Sequence, residues 1–202
     1  MKNKGILFVM SGPSGTGKGT ICAKLLENKE NDVFLSVSST TREIRKDEID
    51  GVTYNYTTVD KFKNMIDNGE MLEYAVYSGN YYGTPKKAVE NILDEGRNVL
   101  LEIEPQGALK VKAIFPEAVL MFIVPPSMKE LKKRLAERGR ETDEQIKERL
   151  EAARWEFEQA RKYNYIFVND SLDECVSEIE ETMRGKVQAK SLVDKLLTEQ
   201  YL

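Results

Sequence analysis

Short apolar runs alternate with longer amphipathic stretches along most of the chain. Residues 6–10, 33–37, 99–103, 119–124 and 165–168 are β-prone and poor in polar side chains. Strands covered on both faces read this way. Between them, Ser127…Glu130, Thr142…Gln145 and Ser171…Glu174 have the spacing of capping boxes. Thr84-Pro85 offers a cap residue followed by proline at a first helical position. The helix after Thr142 carries an apolar stripe at Ile146, Leu150, Ala153, Phe157 and Ala160. Strands alternating with helices predict an α/β fold with a parallel sheet between helices. Ligands of such a sheet collect at the carboxyl ends of its strands.

Two segments break the alternation. Residues 38–89 are rich in Thr, Tyr and Gly, and six of the nine tyrosines fall between Tyr54 and Tyr82. Within them, 73–78 and Tyr81-Tyr82 flank Gly79-Asn80, which predicts a hairpin with a two-residue turn. One helix is expected over 60–68. The whole reads as a small β-rich insertion. The second segment, 137–143, is charged, contains Gly139 and joins two helices, as a mobile lid does. The expected division is a core of 1–37, 90–136 and 146–202, an insertion of 38–89, and a lid of 137–145. A weak stripe of Leu192, Leu196 and Leu197 predicts a helical tail beyond Gly185.

The first apolar run leads into Gly12-Pro13-Ser14-Gly15-Thr16-Gly17-Lys18-Gly19-Thr20. Strand, glycine loop, lysine and helix stand in the order of a P-loop. Its backbone N–H groups and the following helix N-terminus cradle phosphate, and Lys18 reaches the terminal phosphates. The hydroxyl that normally follows the lysine comes one residue late, at Thr20. Thr20 is therefore the candidate near a metal ion, with Mg²⁺ otherwise held through phosphates and water.

Composition narrows the picture further. With 202 residues and a net charge of −4, the chain suits one sizeable core and carries no basic tract for nucleic acid. Histidine is absent, which removes Ser-His-Asp and Cys-His chemistry and histidine-ligated metals. Cys22 and Cys175 lie far apart in sequence and read as buried, reduced thiols of a cytoplasmic protein. No apolar run is long enough to cross a bilayer, and no membrane partner is expected. The sequence leaves monomer and homodimer open.

Arginines and acids supply the remaining candidates. Arg134 and Arg138 share a helix face, where an anion between them would relieve their repulsion. Compensation by Glu130 and Glu137 is the competing reading. Arg149 lies beside the stripe of the next helix and could point back to the sheet edge. Arg42 and Arg45 follow Ser38-Ser39-Thr40-Thr41, a second set of groups suited to phosphate. Two phosphate sites suggest a phosphorylated acceptor. Glu102 and Glu104 end a strand, where a carboxylate could serve Mg²⁺ or the acceptor.

These motifs, with Asp50-Gly51 and Tyr54, the 78–83 segment, Glu104-Pro105-Gln106-Gly107 and Val168-Asn169-Asp170, make residues 5–185 resemble the guanylate kinase family. The resemblance implies a three-layer P-loop kinase core, a GMP-binding insertion and a lid. It implies transfer of the terminal phosphoryl group of ATP to GMP, with Mg²⁺, and with dGMP as a further acceptor. Lys18, Arg42, Arg134, Arg138 and Arg149 are then the catalytic cations. Gly12 to Thr20 and Asn169 bind ATP. Arg42, Arg45, Tyr54 and Tyr82 take the GMP phosphate, with Glu48 supporting Arg45 or the phosphate shell. Ser38, Glu73 and Thr84 read guanine, with hydroxyls of Ser38 and Thr84 donating to O6. Glu104 stands where the family usually has aspartate, which puts its role in doubt. Competing readings are a kinase of the same build with another acceptor and a catalytically inactive interaction module. A regulatory GTPase is a third, but it needs N-K-x-D and D-x-x-G, which the chain lacks.

Overall fold

The structure is a computed structural model, and it describes residues 4–77, 79–137, 139 and 142–185. Its elements run β1 (Leu7–Ser11), α1 (Lys18–Glu27), β2 (Val33–Leu35), β3 (Ser39–Thr40), β4 (Asn55–Tyr56), α2 (Val59–Asp67), β5 (Met71–Tyr77) and β6 (Asn80–Pro85). They continue with α3 (Lys86–Asp94), β7 (Asn98–Glu102), α4 (Pro105–Ile114), β8 (Val119–Val124), α5 (Met128–Glu137), α6 (Asp143–Gln159), β9 (Tyr165–Val168) and α7 (Leu172–Met183).

The main sheet has the order β2-β7-β1-β8-β9. All its neighbours are parallel. Successive residues of β1 feed opposite faces. Leu7 and Val9 pack with Val89, Leu93, Val111, Leu131, Leu135 and Phe157 from α3 to α6. Phe8 and Met10 pack with Ile21, Cys22 and Leu25 of α1 and with Cys175 and Ile179 of α7. These two cores make three layers, the predicted α/β architecture, and explain why β1 is apolar at four successive positions. Both cysteines are buried and unpaired.

A second sheet, ordered β4-β3-β6-β5, takes up much of the segment whose composition departed from the rest. It joins β5 to β6 antiparallel, as expected, but Tyr77 pairs with Asn80. Asn80 therefore belongs to the strand and not to the turn. Pro85 still pairs with Met71 at the end of β6, so the helix starts at Lys86 and Thr84 gives it no cap. The capping box at Thr142 forms on both sides. The Ser127 hydroxyl accepts from Glu130 N at 3.1 Å. Ser171 occupies the N-cap position of α7 but accepts no side-chain bond. The expected tail helix lies outside the described residues. Among the described residues, no helix is long and apolar enough to cross a membrane.

Candidate active site

β1 ends beside β7 and β8, and the glycine loop starts at that carboxyl edge. Gly17 is the N-cap of α1 with φ 89, a left-handed conformation that glycine adopts freely. A side chain there would also run into the Asn169 amide. Asn169 donates that amide to the Thr16 carbonyl at 2.8 Å. Its own N–H goes to Val124 at 2.8 Å. The residue expected at the ATP base thus braces the loop from beneath. Thr16 is fully buried and donates to the Pro13 carbonyl at 2.8 Å. Lys18 Nζ donates to the carbonyls of Gly12 at 2.5 Å and Pro13 at 3.1 Å. Thr20 is exposed on the first turn of α1.

The lid-side arginines divide. Arg149 donates to Ser14 Oγ at 2.7 Å, so α6 does turn this guanidinium back to the loop. Arg134 donates to Glu130 at 3.0 Å, the compensated pairing that its spacing left open. Lys133 lies 3.9 Å from Glu137. Arg138 lies outside the described residues.

A cleft of about 380 Å³ joins this loop to the second sheet. Ser14, Lys18 and Gly19 line it on the core side, and Ser38, Thr53 and Tyr54 line it opposite. Glu102 at the end of β7 and Glu104 before α4 also line it. Their carboxylates suit a hard cation such as Mg²⁺, which takes oxygen ligands. Among the described residues no group of three acidic or sulfur ligands could cage a metal, so phosphate oxygens would have to complete its shell.

Beyond the cleft, Glu48 organises the expected phosphate-binding groups. Its carboxylate accepts both arms of Arg42, at 2.7 and 2.9 Å. It also accepts the Arg45 backbone N–H and the Tyr56 hydroxyl, each at 2.8 Å. The Arg42 fork is the main cause that lowers this carboxyl to about 2. Glu48 therefore supports Arg42, and it touches Arg45 only through the main chain. Arg42 also lies over the rings of Tyr54 and Tyr56, and Tyr54 meets Tyr82 edge-on at 5.9 Å. Arg45 itself is exposed.

Glu73 is 7% exposed, on β5. The fully buried Thr84 donates its hydroxyl to Glu73 Oε1 at 2.8 Å. That proton is spent on the carboxylate and not held for a base O6. Burial pushes the Glu73 carboxyl up, while Thr84 and Lys110 act to keep it ionised.

Sequence reasoning missed Tyr56, hidden among many tyrosines, and a buried polar cluster behind the loop. Ser11 Oγ, Glu156 Oε2 and Tyr163 Oη are buried and make no hydrogen bond among the described residues. Burial pushes the Glu156 carboxyl up to about 7, with Glu104 adding to the rise and Lys18 opposing it. An unfolded glutamate titrates near about 4.3. From there up to about 7 the folded chain holds a proton that the unfolded chain releases. Stability therefore falls as pH rises through that window. Glu156→Gln removes this dependence. Thermal melts from pH 5 to 8.5 should show the variant gaining on the parent as pH rises to about 7 and keeping that gain above it, and curves parallel from pH 5 to 7 would clear Glu156 as the cause.

Parallel sheet, glycine loop, docked lysine, an arginine turned onto that loop and a cleft lined by acids define the P-loop phosphotransferase class. Residues 4–186 match the family model described as guanylate kinase. A guanylate kinase of Clostridium perfringens (strain SM101 / Type A) is 51% identical over 194 residues, covering 96% of this chain and 88% of that protein. One from Clostridium acetobutylicum is 50% identical over 196 residues, covering 97% of this chain and 91% of the relative. The crystal structure of guanylate kinase from Anaplasma phagocytophilum superposes with a TM-score of 0.74 at 33% identity, over 98% of this chain and 96% of that one. The chain belongs to the guanylate kinase family, whose members are ATP-dependent nucleoside monophosphate kinases.

Proposed function

We propose that the chain moves the terminal phosphoryl group of ATP onto GMP, giving ADP and GDP, with the glycine loop as donor site and the second sheet as acceptor site. The observation that carries this reading is the shared cleft: Lys18, Tyr54, Glu102 and Glu104 line one space.

The chemistry asks for alignment and positive charge more than for covalent help. Gly12 to Thr20 hold the donor phosphates, and Asn169 keeps that loop in shape. Lys18 meets the charge that builds on the moving group. Arg149 and Arg134 flank the expected lid, part of which lies outside the described residues, and Arg134 leaves Glu130 for phosphate when the substrates bind. Glu102, Glu104 or Thr20, together with the phosphates, would hold Mg²⁺, which would neutralise phosphate charge. Arg42, held as a planar fork by Glu48, presents with Arg45, Tyr54 and Tyr82 a cationic, hydroxyl-rich face to the acceptor phosphate. That phosphate is already an anion, so no histidine base is needed. Glu73 accepts from guanine N1–H and the exocyclic amine, and Ser38 donates to O6. Thr84 holds Glu73 in place. The segment 38–89 is on this reading the GMP-binding subdomain. Two buried free thiols suit a reducing cytoplasm, where the reaction would serve guanine nucleotide synthesis and recycling.

A coupled ADP-release assay over GMP, dGMP, AMP, CMP and UMP tests the reading. Turnover should be confined to the guanine acceptors. Preference for any other base would overturn the acceptor assignment, and no acceptor-dependent turnover would favour an interaction module.

A further inference from the structure

The helix α4 begins with Pro105, and Gly107 sits in its first turn, buried. Glycine is the weakest helix former apart from proline. Its φ is not in the left-handed region, so the backbone does not ask for glycine here. The reason lies across the interface with β5. A Cβ built on Gly107 would stand 2.7 Å from Glu73 Oε2, 3.1 Å from its Cδ and 3.3 Å from its Cγ. All three atoms belong to the end of one side chain, and that side chain cannot swing away freely. It is buried, and its other oxygen is bonded to Thr84 at 2.8 Å. The packing of α4 on β5 is also fixed one turn further on. Lys110 Nζ donates to the Tyr74 carbonyl at 3.3 Å and lies 5.3 Å from the centre of the Tyr74 ring.

The environment suits an anion as well as its shape. The first bond of the α4 ladder runs from Ala108 N to the Glu104 carbonyl. The amides before it lie at the positive end of the helix, beside the Glu73 carboxylate. Lys110 favours the charged form too, and Glu104 opposes it.

We propose that Gly107 is a specificity-determining position: its bare Cα makes room for Glu73, so a helix of the core sets the aim of the carboxylate that reads the acceptor base. Gly107 acts through Glu73 and is a positioning residue. The inference rests on the guanine-reading role given to Glu73 above.

Gly107→Ala and Glu73→Asp, alone and combined, test it by steady-state kinetics with GMP and AMP as acceptors. Gly107→Ala should raise KM for GMP about tenfold or more and lower the GMP-over-AMP preference by a similar factor. Its KM for ATP and its kcat at saturating GMP should change less than threefold, and its melting temperature should hold. Glu73→Asp withdraws the carboxylate by one methylene, which clears the space that the alanine methyl needs. The double variant should therefore lose less than the product of the two single losses. An unchanged GMP KM and base preference in folded Gly107→Ala would overturn the proposal. If that single variant does not fold, the double variant decides. Recovery of folding and GMP use by the shorter acid supports the proposal, and failure to recover places the clash elsewhere and refutes it. A parent protein that prefers AMP in the same assay would sink the guanine reading, whatever the variants do.

Discussion

Lys18→Met should lower kcat by about 10³-fold while the protein keeps its fold and its affinity for GMP. Methionine preserves the length and much of the volume of the lysine stem, so the half-buried site is not hollowed out. What disappears is a compact charge at the mouth of the glycine loop. An ammonium has three donors. Two of them lie on the Gly12 and Pro13 carbonyls, at 2.5 and 3.1 Å, which leaves one for phosphate without any rearrangement of the loop. Removing one preorganised donor from a site where transition-state charge develops costs on the order of 10² to 10³ in rate. Phosphoryl transfer, which depends on such charge more than on bond-making by the protein, should lie at the upper end. Arg149 cannot stand in, because its guanidinium reaches the loop at Ser14 and lacks the lysine's point-charge geometry. Steady-state turnover and calorimetric titration with GMP separate the two quantities. A kcat within tenfold of the parent would remove Lys18 from the chemistry.

The glycine loop was legible in the sequence because everything it needs is local. Apolar strand, glycine spacing, lysine and helix follow one another within about twenty residues. The α/β class was legible for a similar reason, since a strand buried on both faces must be apolar throughout, and β1, β7 and β8 are nearly so. What was not legible depends on partners brought together by the fold. Glu48 serves Arg42 across an irregular loop, where no helical or strand period predicts which residues meet. Thr84-Pro85 has the letters of a helix start, but pairing of Pro85 with Met71 keeps it in the sheet. Glu156 reads as a polar helix position until Tyr163 and Ser11 are seen to be buried with it. Gly107 looks like part of a motif and nothing more until a carboxylate from another sheet is found against it. Thr84 lies against Glu73, but its proton goes to that carboxylate, a choice that only the side-chain geometry reveals.

Glu73→Gln should cut kcat/KM for GMP by on the order of 10³ and leave ATP binding unchanged. The carboxylate offers two acceptors to two guanine donors, N1–H and the exocyclic amine. An amide of the same shape offers one acceptor and sets its own N–H against the other donor. Because Glu73 is buried, water cannot make good the mismatch. The fold should survive, since Thr84 can still donate its hydroxyl to the amide oxygen. Adenine behaves differently. Its N1 is a lone pair that the carboxylate repels, while an amide can donate to it and accept from the neighbouring amine. AMP use should therefore hold or rise, and the acceptor preference should collapse from both sides. The pH dependence supplies an independent check. Burial raises the Glu73 carboxyl, and only the ionised form accepts from both donors. In the parent, GMP affinity should weaken as pH falls through the raised value, and the glutamine variant should lack that limb. Equal losses for GMP and ATP, or the same acid limb in both proteins, would take the base-reading role away from Glu73.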